Sequence, residues 1–393
     1  MQQTIAVSSA SLTDAQLAIR EWARGFARDT VRPVAAEFDR ERAMPEQILQ
    51  DAHNVGLTTY AIPEEFGGGG NRSIVDATLI AEEMAWGCVG VYSYLEGTNM
   101  FIAAVLEAGT GAQKEKWLTP LCGPKLTLAA FACTEAGGGS DVASMTTRAT
   151  QVTGGYQLNG QKMFITNGGI ASHMLVVARA HTDGGVNGLT LFLVRGDADG
   201  ISYGPRAMTM GWRASTNTPV FLDSVFVPDE DVLGQVGEGF AVTKRAFEMS
   251  RIEVAACSIG IARASLEYAV DYANQREAFG TPISAFQGIS FPLADAATSI
   301  HAARLLTLEA ARAADRHAPF GTQASMAKLF ASEMACRVTS QAMQVLGGHG
   351  YVEDHPVEKW FRDARLETIE EGTSEIQRLI ISRSLLAGRL PLD

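Results

Sequence analysis

The chain has 393 residues, of which 46% are hydrophobic and 19% are charged, so it can bury a large core and form more than one domain. Its formal net charge of −12 disfavours nucleic-acid binding, and seven His and five Cys residues leave little material for a metal site. Because no apolar stretch approaches the roughly 20 residues that a membrane-spanning helix needs, we expect a soluble protein without membrane partners.

The location of the protein can be predicted from its cysteines and its first residues. The cysteines are odd in number, lie far apart and form no C-x-x-C pair, which is typical of buried thiols in a reducing compartment. Residues 1–14 lack the basic and apolar regions of a secretory signal. We therefore expect a cytoplasmic protein.

The first region of the chain has apolar residues at helical spacing, for example Trp22 and Phe26. Ser11 and Asp14 form a candidate capping box at the start of its first helix. A glycine-rich loop at 62–70 interrupts the helical pattern, which then resumes. This pattern predicts an all-α domain over residues 1–125.

The second region, residues 126–236, alternates short apolar runs with turn residues and predicts a β domain, either a barrel or a sandwich. Candidate strands cover 174–177, 189–194 and 220–227. The pair Asn159-Gly160 is a typical hairpin signal between two further apolar runs.

The third region, residues 237–393, returns to long Ala-rich helical patterns. These patterns cover 241–276, 286–316 and 322–345, and the pair Gly347-Gly348 ends the last of them. They predict a C-terminal four-helix bundle. The fold class is therefore α+β, with a β domain between two helical domains, and a helical scaffold without any chemistry remains open at this point.

The segment 369–378 places a carboxylate, Glu371, immediately before a glycine and before Thr373, which can cap the helix that follows. A carboxylate at that position can project into a pocket as a base. The same placement also occurs simply because carboxylates are favourable near the positive end of a helix dipole.

A second informative segment, 131–142, crosses three successive glycines, where the backbone can approach a ligand closely, and then reaches Ser140. This segment resembles the flavin and coenzyme A loop of the acyl-CoA dehydrogenase family. The chain has Ala136 where the family usually has Pro, and Gly138 where it usually has Ala.

Other segments resemble the same family and occur in the family's order. They are 162–169 beside the flavin ring, 210–213 in the β domain, 276–280 with 286–287, 344–350 beside the FAD pyrophosphate, and 362–365. No glycine fingerprint joins a strand to a helix, so a Rossmann fold is excluded.

The resemblance implies FAD-dependent desaturation of a saturated acyl-CoA thioester to the trans-2-enoyl-CoA. Glu371 would be the base for the α-proton, and its backbone N–H, with a flavin ribityl hydroxyl, would hold the thioester oxygen. FAD would accept the β-hydride, and an electron-transfer flavoprotein would take the electrons. The implied cofactor-binding residues are Phe131, Thr134, Ser140, Phe164, Thr166, Arg276, Phe279, Gln287, Gln344, Gly347, Gly348 and Thr373.

The resemblance also implies a set of residues that contact the substrate. They are Ser140, Glu248, Arg251, Glu96, Gly372 and Arg383. Some members carry the base immediately before the arginine that corresponds to Arg251, but here that residue is Ser250, which leaves Glu371 in the role. A helix-surface ion pair between Glu248 and Arg251 is the plain structural alternative.

Closest in motifs are the medium-chain and short-chain enzymes. The segment 94–99 resembles the medium-chain enzymes, in which the residue corresponding to Glu96 lies at the floor of the acyl pocket. Glu370 and Glu253 depart from the medium-chain pattern. We expect Glu370 to point to solvent, because a second carboxylate in the pocket would repel the base.

The resemblance further implies a homotetramer, in which Arg276 and Gln344 would reach the FAD of a neighbouring subunit. Other functions remain open. The same fold could act on a modified acyl thioester or carry out flavin oxygen chemistry. A non-catalytic, acyl-CoA-binding homo-oligomer is the alternative from a different class.

Overall fold

Five α-helices form the N-terminal part of the computed structural model, which describes residues 12–180 and 185–390. They are α1 (Asp14–Phe26), α2 (Ala35–Glu41), α3 (Glu46–Asn54), α4 (Ile74–Ala108) and α5 (Gly111–Leu118). Helix α1 begins at Thr13, whose hydroxyl accepts from the N–H of Gln16 while the Gln16 side chain accepts from the N–H of Thr13. The predicted capping box was wrong in position, and Ser11 lies outside the described residues.

A mostly antiparallel sheet follows. Its strands are β1 (Ala129–Ala132), β2 (Arg148–Val152), β3 (Gly155–Thr166), β4 (His173–Arg179), β5 (Leu189–Arg195), β6 (Ile201–Tyr203), β7 (Asn217–Pro228) and β8 (Val232–Leu233). The spatial order is β6-β7-β3-β2-β4-β5-β8, and β1 pairs in parallel with β4. The three predicted strand segments lie within β4, β5 and β7, so these predictions are confirmed.

The hairpin predicted at Asn159-Gly160 is wrong. These residues lie inside β3, at a shift in its register with β7, and the chain instead reverses between β2 and β3 at Gly154. Gly160 is needed there because a Cβ on it would lie 2.7 Å from Oγ1 of Thr147. The glycine thus permits close packing within the sheet.

Helices return with α6 (Gly239–Gln275), followed by a small hairpin of β9 (Glu277–Ala278) and β10 (Thr281–Pro282). The remaining helices are α7 (Gln287–Asp315), α8 (Gly321–Leu346), α9 (Val357–Glu367) and α10 (Ser374–Leu386). Helices α6, α7 and α8 pack on one another through buried alanines, and α4 packs along α6. No helix in the described part of the chain is long and apolar enough to cross a bilayer.

The sheet is joined to the C-terminal helices through Asp363 of α9. Its Oδ1 accepts from the backbone N–H of Trp212 at 2.6 Å, and its carbonyl accepts from the Trp212 indole at 3.2 Å. Asp363 and Trp212 are both buried. This contact fixes the sheet relative to the segment that follows α9, which contains Glu371.

Candidate active site

Glu371 lies in the turn between α9 and α10, in a left-handed backbone conformation with φ of 50°. Gly372 follows with φ of 94°. Thr373 then begins α10, because its hydroxyl accepts from the N–H of Ile376, as predicted from the sequence. Two successive left-handed residues are costly for a non-glycine such as Glu371 unless the surroundings hold them.

Three side chains from other elements or the next helix hold this turn by its carbonyl groups. Arg251 Nε donates to the carbonyl of Glu371 at 3.1 Å, and Lys328 Nζ donates to that of Gly372 at 2.9 Å. Gln377 Nε2 donates to both carbonyls, at 3.1 and 2.8 Å. The main chain around Glu371 is therefore fixed from several sides, which stabilises its strained conformation.

The carboxylate of Glu371 accepts a hydrogen bond at Oε2 from the hydroxyl of Ser250, over 2.8 Å. Burial raises the pKa of Glu371, while the Ser250 hydroxyl and the positive charge of Arg251 oppose this shift. The outcome is a carboxyl group with a higher proton affinity than an exposed glutamate, which suits a base that must take a proton from carbon.

Two threonines face Glu371 across one cavity. Thr134 follows β1, Thr166 ends β3, and both line the cavity with Glu371. The N–H of Met163 in β3 donates to the carbonyl of Thr134 at 2.9 Å, which ties the two segments together. The cavity thus has hydroxyl groups on its sheet side and a carboxylate on its helix side.

Aromatic rings form another part of the cavity wall. Phe131 and Phe164 line it, and Phe164 is 62% exposed in a left-handed backbone conformation with φ of 57°. Strain at an exposed aromatic residue marks a functional position more often than a packing position. The combination of exposed ring, hydroxyls and carboxylate fits a flat heteroaromatic ring such as that of a flavin.

Helix α4 approaches this wall closely at Gly97. A Cβ at Gly97 would lie 3.1 Å from Cγ2 of Thr166 and 3.1 Å from Nδ2 of Asn167. Glu96, the residue before it, also lines the cavity. The glycine therefore lets α4 place Glu96 beside the sheet, and its role at the floor of an acyl pocket stays a prediction.

Glu370 does not point to solvent, so this prediction was wrong. It lines the same cavity as Glu96 and Glu371, and its Oε1 atom is buried without a hydrogen-bond partner among the described residues. Burial, and then the charge of Glu371, raise the pKa of Glu370 to about 8. The left-handed turn at Glu371 allows two successive side chains to face one cavity.

Glu253 lies in α6 and lines a second cavity between α4 and α6, which shares Met100 with the first. Its carboxylate accepts from Nδ2 of Asn99 at 3.1 Å and from the hydroxyl of Tyr92. Burial raises its pKa. Glu253 is therefore held at Oε1 by two donors beside the second cavity.

The glycine-rich loop is anchored by an ion pair that sequence reasoning missed. Glu135 accepts from Lys162 Nζ at 2.9 Å and from the backbone N–H groups of Thr146 and Thr147. Lys162 is completely buried. The available signal was that Lys162 lies on the same alternate positions of β3 as the buried Tyr156 and Leu158, since a buried lysine needs a partner.

Other predicted site residues lie outside this cavity. Glu248 pairs with Lys244 at 2.6 Å, while Arg251 binds the turn at Glu371, so these two residues do not form the surface pair considered as an alternative. Ser140 and Arg383 are exposed. The residues expected near the distant parts of FAD are also exposed, and they are Arg276, Phe279, Gln287, Gln344, Gly347 and Gly348.

Comparison with known proteins identifies the family. Three family models match the chain: the acyl-CoA dehydrogenase N-terminal domain over 13–124, the middle domain over 130–225 and the C-terminal domain over 237–386. An acyl-CoA dehydrogenase of Bacillus subtilis (strain 168) is 40% identical over 379 residues, which cover 96% of this chain and 99% of that protein.

Two further relatives agree with this result. The mitochondrial short-chain specific acyl-CoA dehydrogenase of Rattus norvegicus is 37% identical over 380 residues, covering 96% of this chain and 92% of that protein. The solved structure of butyryl-CoA dehydrogenase from Megasphaera elsdenii superposes with a TM-score of 0.92 at 37% identity, covering 95% and 99% of the two chains. The chain belongs to the acyl-CoA dehydrogenase family, whose members are flavoproteins and oxidoreductases that act on CH–CH groups.

Proposed function

We propose that the protein dehydrogenates a saturated acyl-CoA thioester at its α and β carbons to give the trans-2-enoyl-CoA, with FAD as cofactor and Glu371 as base. One observation carries the proposal. The partly buried carboxylate of Glu371, bound to Ser250, lines one cavity together with Thr134 and Thr166.

The residues on the sheet side fit the flavin ring. Phe131 and Phe164 offer aromatic surface, and Thr134 and Thr166 offer hydroxyls for the polar edge of the ring. When bound, FAD supplies the acceptor for the hydride that leaves the β carbon. We place Ser140, Arg276, Phe279, Gln287, Gln344, Gly347, Gly348 and Thr373 along the rest of the cofactor, as the family resemblance implies.

Glu371 removes the α-proton in this proposal. Its Oε2 is occupied by the Ser250 hydroxyl, and its Oε1 has no hydrogen-bond partner among the described residues, so Oε1 can accept the proton. Exclusion of water by the bound thioester raises the proton affinity of the carboxylate further. Transfer from a weakly acidic carbon then becomes less unfavourable.

The backbone of the same residue stabilises the charge that develops on the thioester oxygen. The N–H of Glu371 donates to no acceptor in the part of the chain that the structure describes, so it is available to the substrate. Arg251, Lys328 and Gln377 hold the neighbouring carbonyls in place. A donor fixed in advance in this way stabilises a transition state without reorganisation.

The wider context follows from the family. We propose that an electron-transfer flavoprotein accepts the electrons, that the active form is a homotetramer, and that the protein works in the cytoplasm in fatty-acid β-oxidation. Glu96, Glu248, Arg251, Gly372, Ser140 and Arg383 are the proposed substrate-binding residues. Of these, Glu96 lines the cavity, Gly372 belongs to the turn that contains Glu371, and Arg251 of α6 donates to the carbonyl of Glu371.

An anaerobic titration of the purified holoenzyme with saturated acyl-CoA thioesters of graded length tests the function. We expect the visible flavin band to bleach, most strongly for one chain length, with the enoyl-CoA as product. Bound FAD that stays oxidised with every saturated thioester would contradict the proposal.

A further inference from the structure

We propose that the cavity lined by Glu96, Glu370 and Glu371 selects an acyl group that carries a protonated amine. Glu96 and Glu370 bind this amine. This inference rests on the proposed function and names the class of substrate for the same site. It is carried by two carboxyl groups in the cavity that have no partner among the described residues.

Glu96 is the first of these groups. It lies on α4, is only 7% exposed, and lines the cavity together with Glu371. Its side chain makes no hydrogen bond or ion pair with any described residue. A carboxyl group removed from water to this extent is costly unless something binds it. Its position in the cavity wall makes a ligand the available partner.

Glu370 is the second group. It lines the same cavity, and its buried Oε1 has no hydrogen-bond partner in the described part of the chain. Burial and the charge of Glu370 both raise the pKa of Glu96, so the two carboxyl groups are close enough to interact. Together they form an acidic wall beside the base.

Two positive side chains lie near this wall, and the charge of Lys328 acts on Glu370, but neither side chain donates a hydrogen bond to Glu96 or Glu370. Lys328 donates to the carbonyl of Gly372, and Arg251 donates to the carbonyl of Glu371. The nearby Glu253 accepts from Asn99 and Tyr92, both at Oε1. Of the three carboxyl groups that line the cavity, Glu371 included, those of Glu96 and Glu370 are the two that accept no hydrogen bond from the described residues.

The chemistry of the acyl group follows from these two groups. A plain alkyl group would leave both carboxyl groups without a hydrogen-bond partner in the cavity. A protonated amine carries the opposite charge and can donate to a carboxylate, and charge-assisted hydrogen bonds of this kind are the strong ones. A bound amine thus supplies the charged hydrogen-bond donor that Glu96 and Glu370 lack among the described residues.

Matched pairs of acyl-CoA thioesters test this inference on the holoenzyme. Each pair has one acyl chain that ends in a protonated dimethylamino group and one that ends in an isopropyl group, so that N–H⁺ replaces C–H at constant shape. Chains of graded length cover the unknown distance from the thioester to the two carboxyls. For at least one length we expect kcat/KM for the amine to exceed that for its neutral isostere by about tenfold or more.

Variants assign the preference to the cavity. Glu370→Gln keeps the shape but removes the charge, so the ratio of kcat/KM for the amine to that for the isostere should fall about tenfold. Glu375→Gln is the matched control, because Glu375 is exposed in the first turn of α10 and does not line the cavity. That variant should keep the ratio.

Two outcomes separate this inference from the proposed function. If the neutral isosteres bleach the flavin at every length better than the amines do, the proposed function stands and the inference is wrong. If neither member of any pair is dehydrogenated, the proposed function itself is wrong and the inference falls with it. A preference for the amine that survives Glu370→Gln would also overturn the inference.

Discussion

The hydroxyl of Ser250 donates to Oε2 of Glu371 over 2.8 Å, and Ser250 immediately precedes Arg251, which binds the carbonyl of the same glutamate. One turn of α6 therefore orients both the carboxylate and the backbone of the proposed base. In some family members the residue at the position of Ser250 is the base itself. Here it is a hydroxyl that stabilises the charged form of Glu371.

Ser250→Ala should raise the pKa of Glu371, because it removes a hydrogen bond that lowers that pKa. The base acts in its ionised form, so the acidic limb of the pH dependence of flavin reduction should move to higher pH by up to about one unit. Ser258→Ala, two turns further along α6 and bound to Glu367, is the control. An unchanged limb would show that the hydroxyl does not tune the base.

Glu371→Gln should lose a factor of about 10² to 10⁴ in turnover while FAD stays bound, because an amide cannot accept the α-proton. Stopped-flow reduction by the best acyl-CoA substrate measures the loss, and the visible spectrum measures bound FAD. Glu375→Gln, exposed in the first turn of α10, is the matched control and should turn over normally. Undiminished turnover in Glu371→Gln would remove this residue from the mechanism.

Glu370→Gln should change how stability depends on pH. The pKa of Glu370 is raised to about 8, so between its ordinary value near 4.5 and 8 the folded state holds a proton that the unfolded state has released. Because the unfolded state releases this proton first, the free energy of unfolding decreases as pH rises through this window. In Glu370→Gln the melting temperature should fall less between pH 5 and pH 8 than in the parent.

The control for this measurement is Glu115→Gln, which changes an exposed glutamate on α5 that does not line the cavity. Its melting temperature should follow that of the parent across the whole range. If Glu370→Gln also follows the parent, Glu370 ionises as an exposed glutamate would, and its place in the cavity wall is wrong.

Gly372→Ala should lower turnover by more than its loss of folding stability alone would explain. The residue has φ of 94°, and a Cβ would lie 2.8 Å from Nε2 of Gln377, which holds the turn. We expect a loss of about 1–3 kcal/mol in the free energy of unfolding and a larger relative loss of turnover. Chemical denaturation and steady-state kinetics measure the two effects.

Gly388→Ala is matched to this variant. Gly388 also has a positive φ, of 65°, but a Cβ there would meet nothing within 4 Å. It should share the backbone cost without the loss of turnover. Equal losses of turnover in the two variants would show that the contact with Gln377 has no part in placing Glu371.

Glu135→Gln should destabilise the protein by about 3–5 kcal/mol, because it leaves the buried ammonium of Lys162 without its counter-charge. Although burial opposes the shift, Lys162 and Thr147 lower the pKa of Glu135 to about 2. The pair therefore stabilises the fold above pH 4.5, and this contribution is lost as pH falls toward 2.

The double variant Glu135→Gln with Lys162→Met separates charge from shape. Replacement of both partners removes the unpaired charge, so much of the lost stability should return. Denaturant unfolding at neutral pH measures all three proteins. A double variant as unstable as the single one would mean that the carboxylate acts mainly through Thr146 and Thr147.

Hydrophobic periodicity was sufficient for most of the fold. The long patterns of the third region correspond to α6, α7 and α8, and three apolar runs correspond to β4, β5 and β7. Asn159-Gly160 failed because the pair has two uses that sequence alone does not separate. A glycine next to an asparagine marks a turn when φ must be positive, and a close contact when a neighbouring strand leaves no room for a Cβ.

The candidate site was less predictable than the fold, for a geometric reason. Glu371 could be predicted from the sequence because it immediately precedes Gly372 and the capping residue Thr373. The direction of Glu370 depends on the left-handed conformation of Glu371, which three donors from α6, α8 and α10 impose. The prediction for Glu370 assumed that two carboxylates would repel each other, but a pKa raised to about 8 leaves Glu370 uncharged at neutral pH.

The length of α6 also sets the distance between two proposed binding residues, Arg251 and Arg276. Arg251 contacts the turn at Glu371, whereas Arg276 follows the last residue of the same uninterrupted helix and is exposed. At about 1.5 Å per residue the two arginines are about 38 Å apart. The helix thus works as a rigid spacer, and an acyl group at one end cannot touch the residue at the other. Substitutions at the two ends should therefore change the proposed acyl chemistry near Arg251 and the proposed cofactor contact of Arg276 independently of each other.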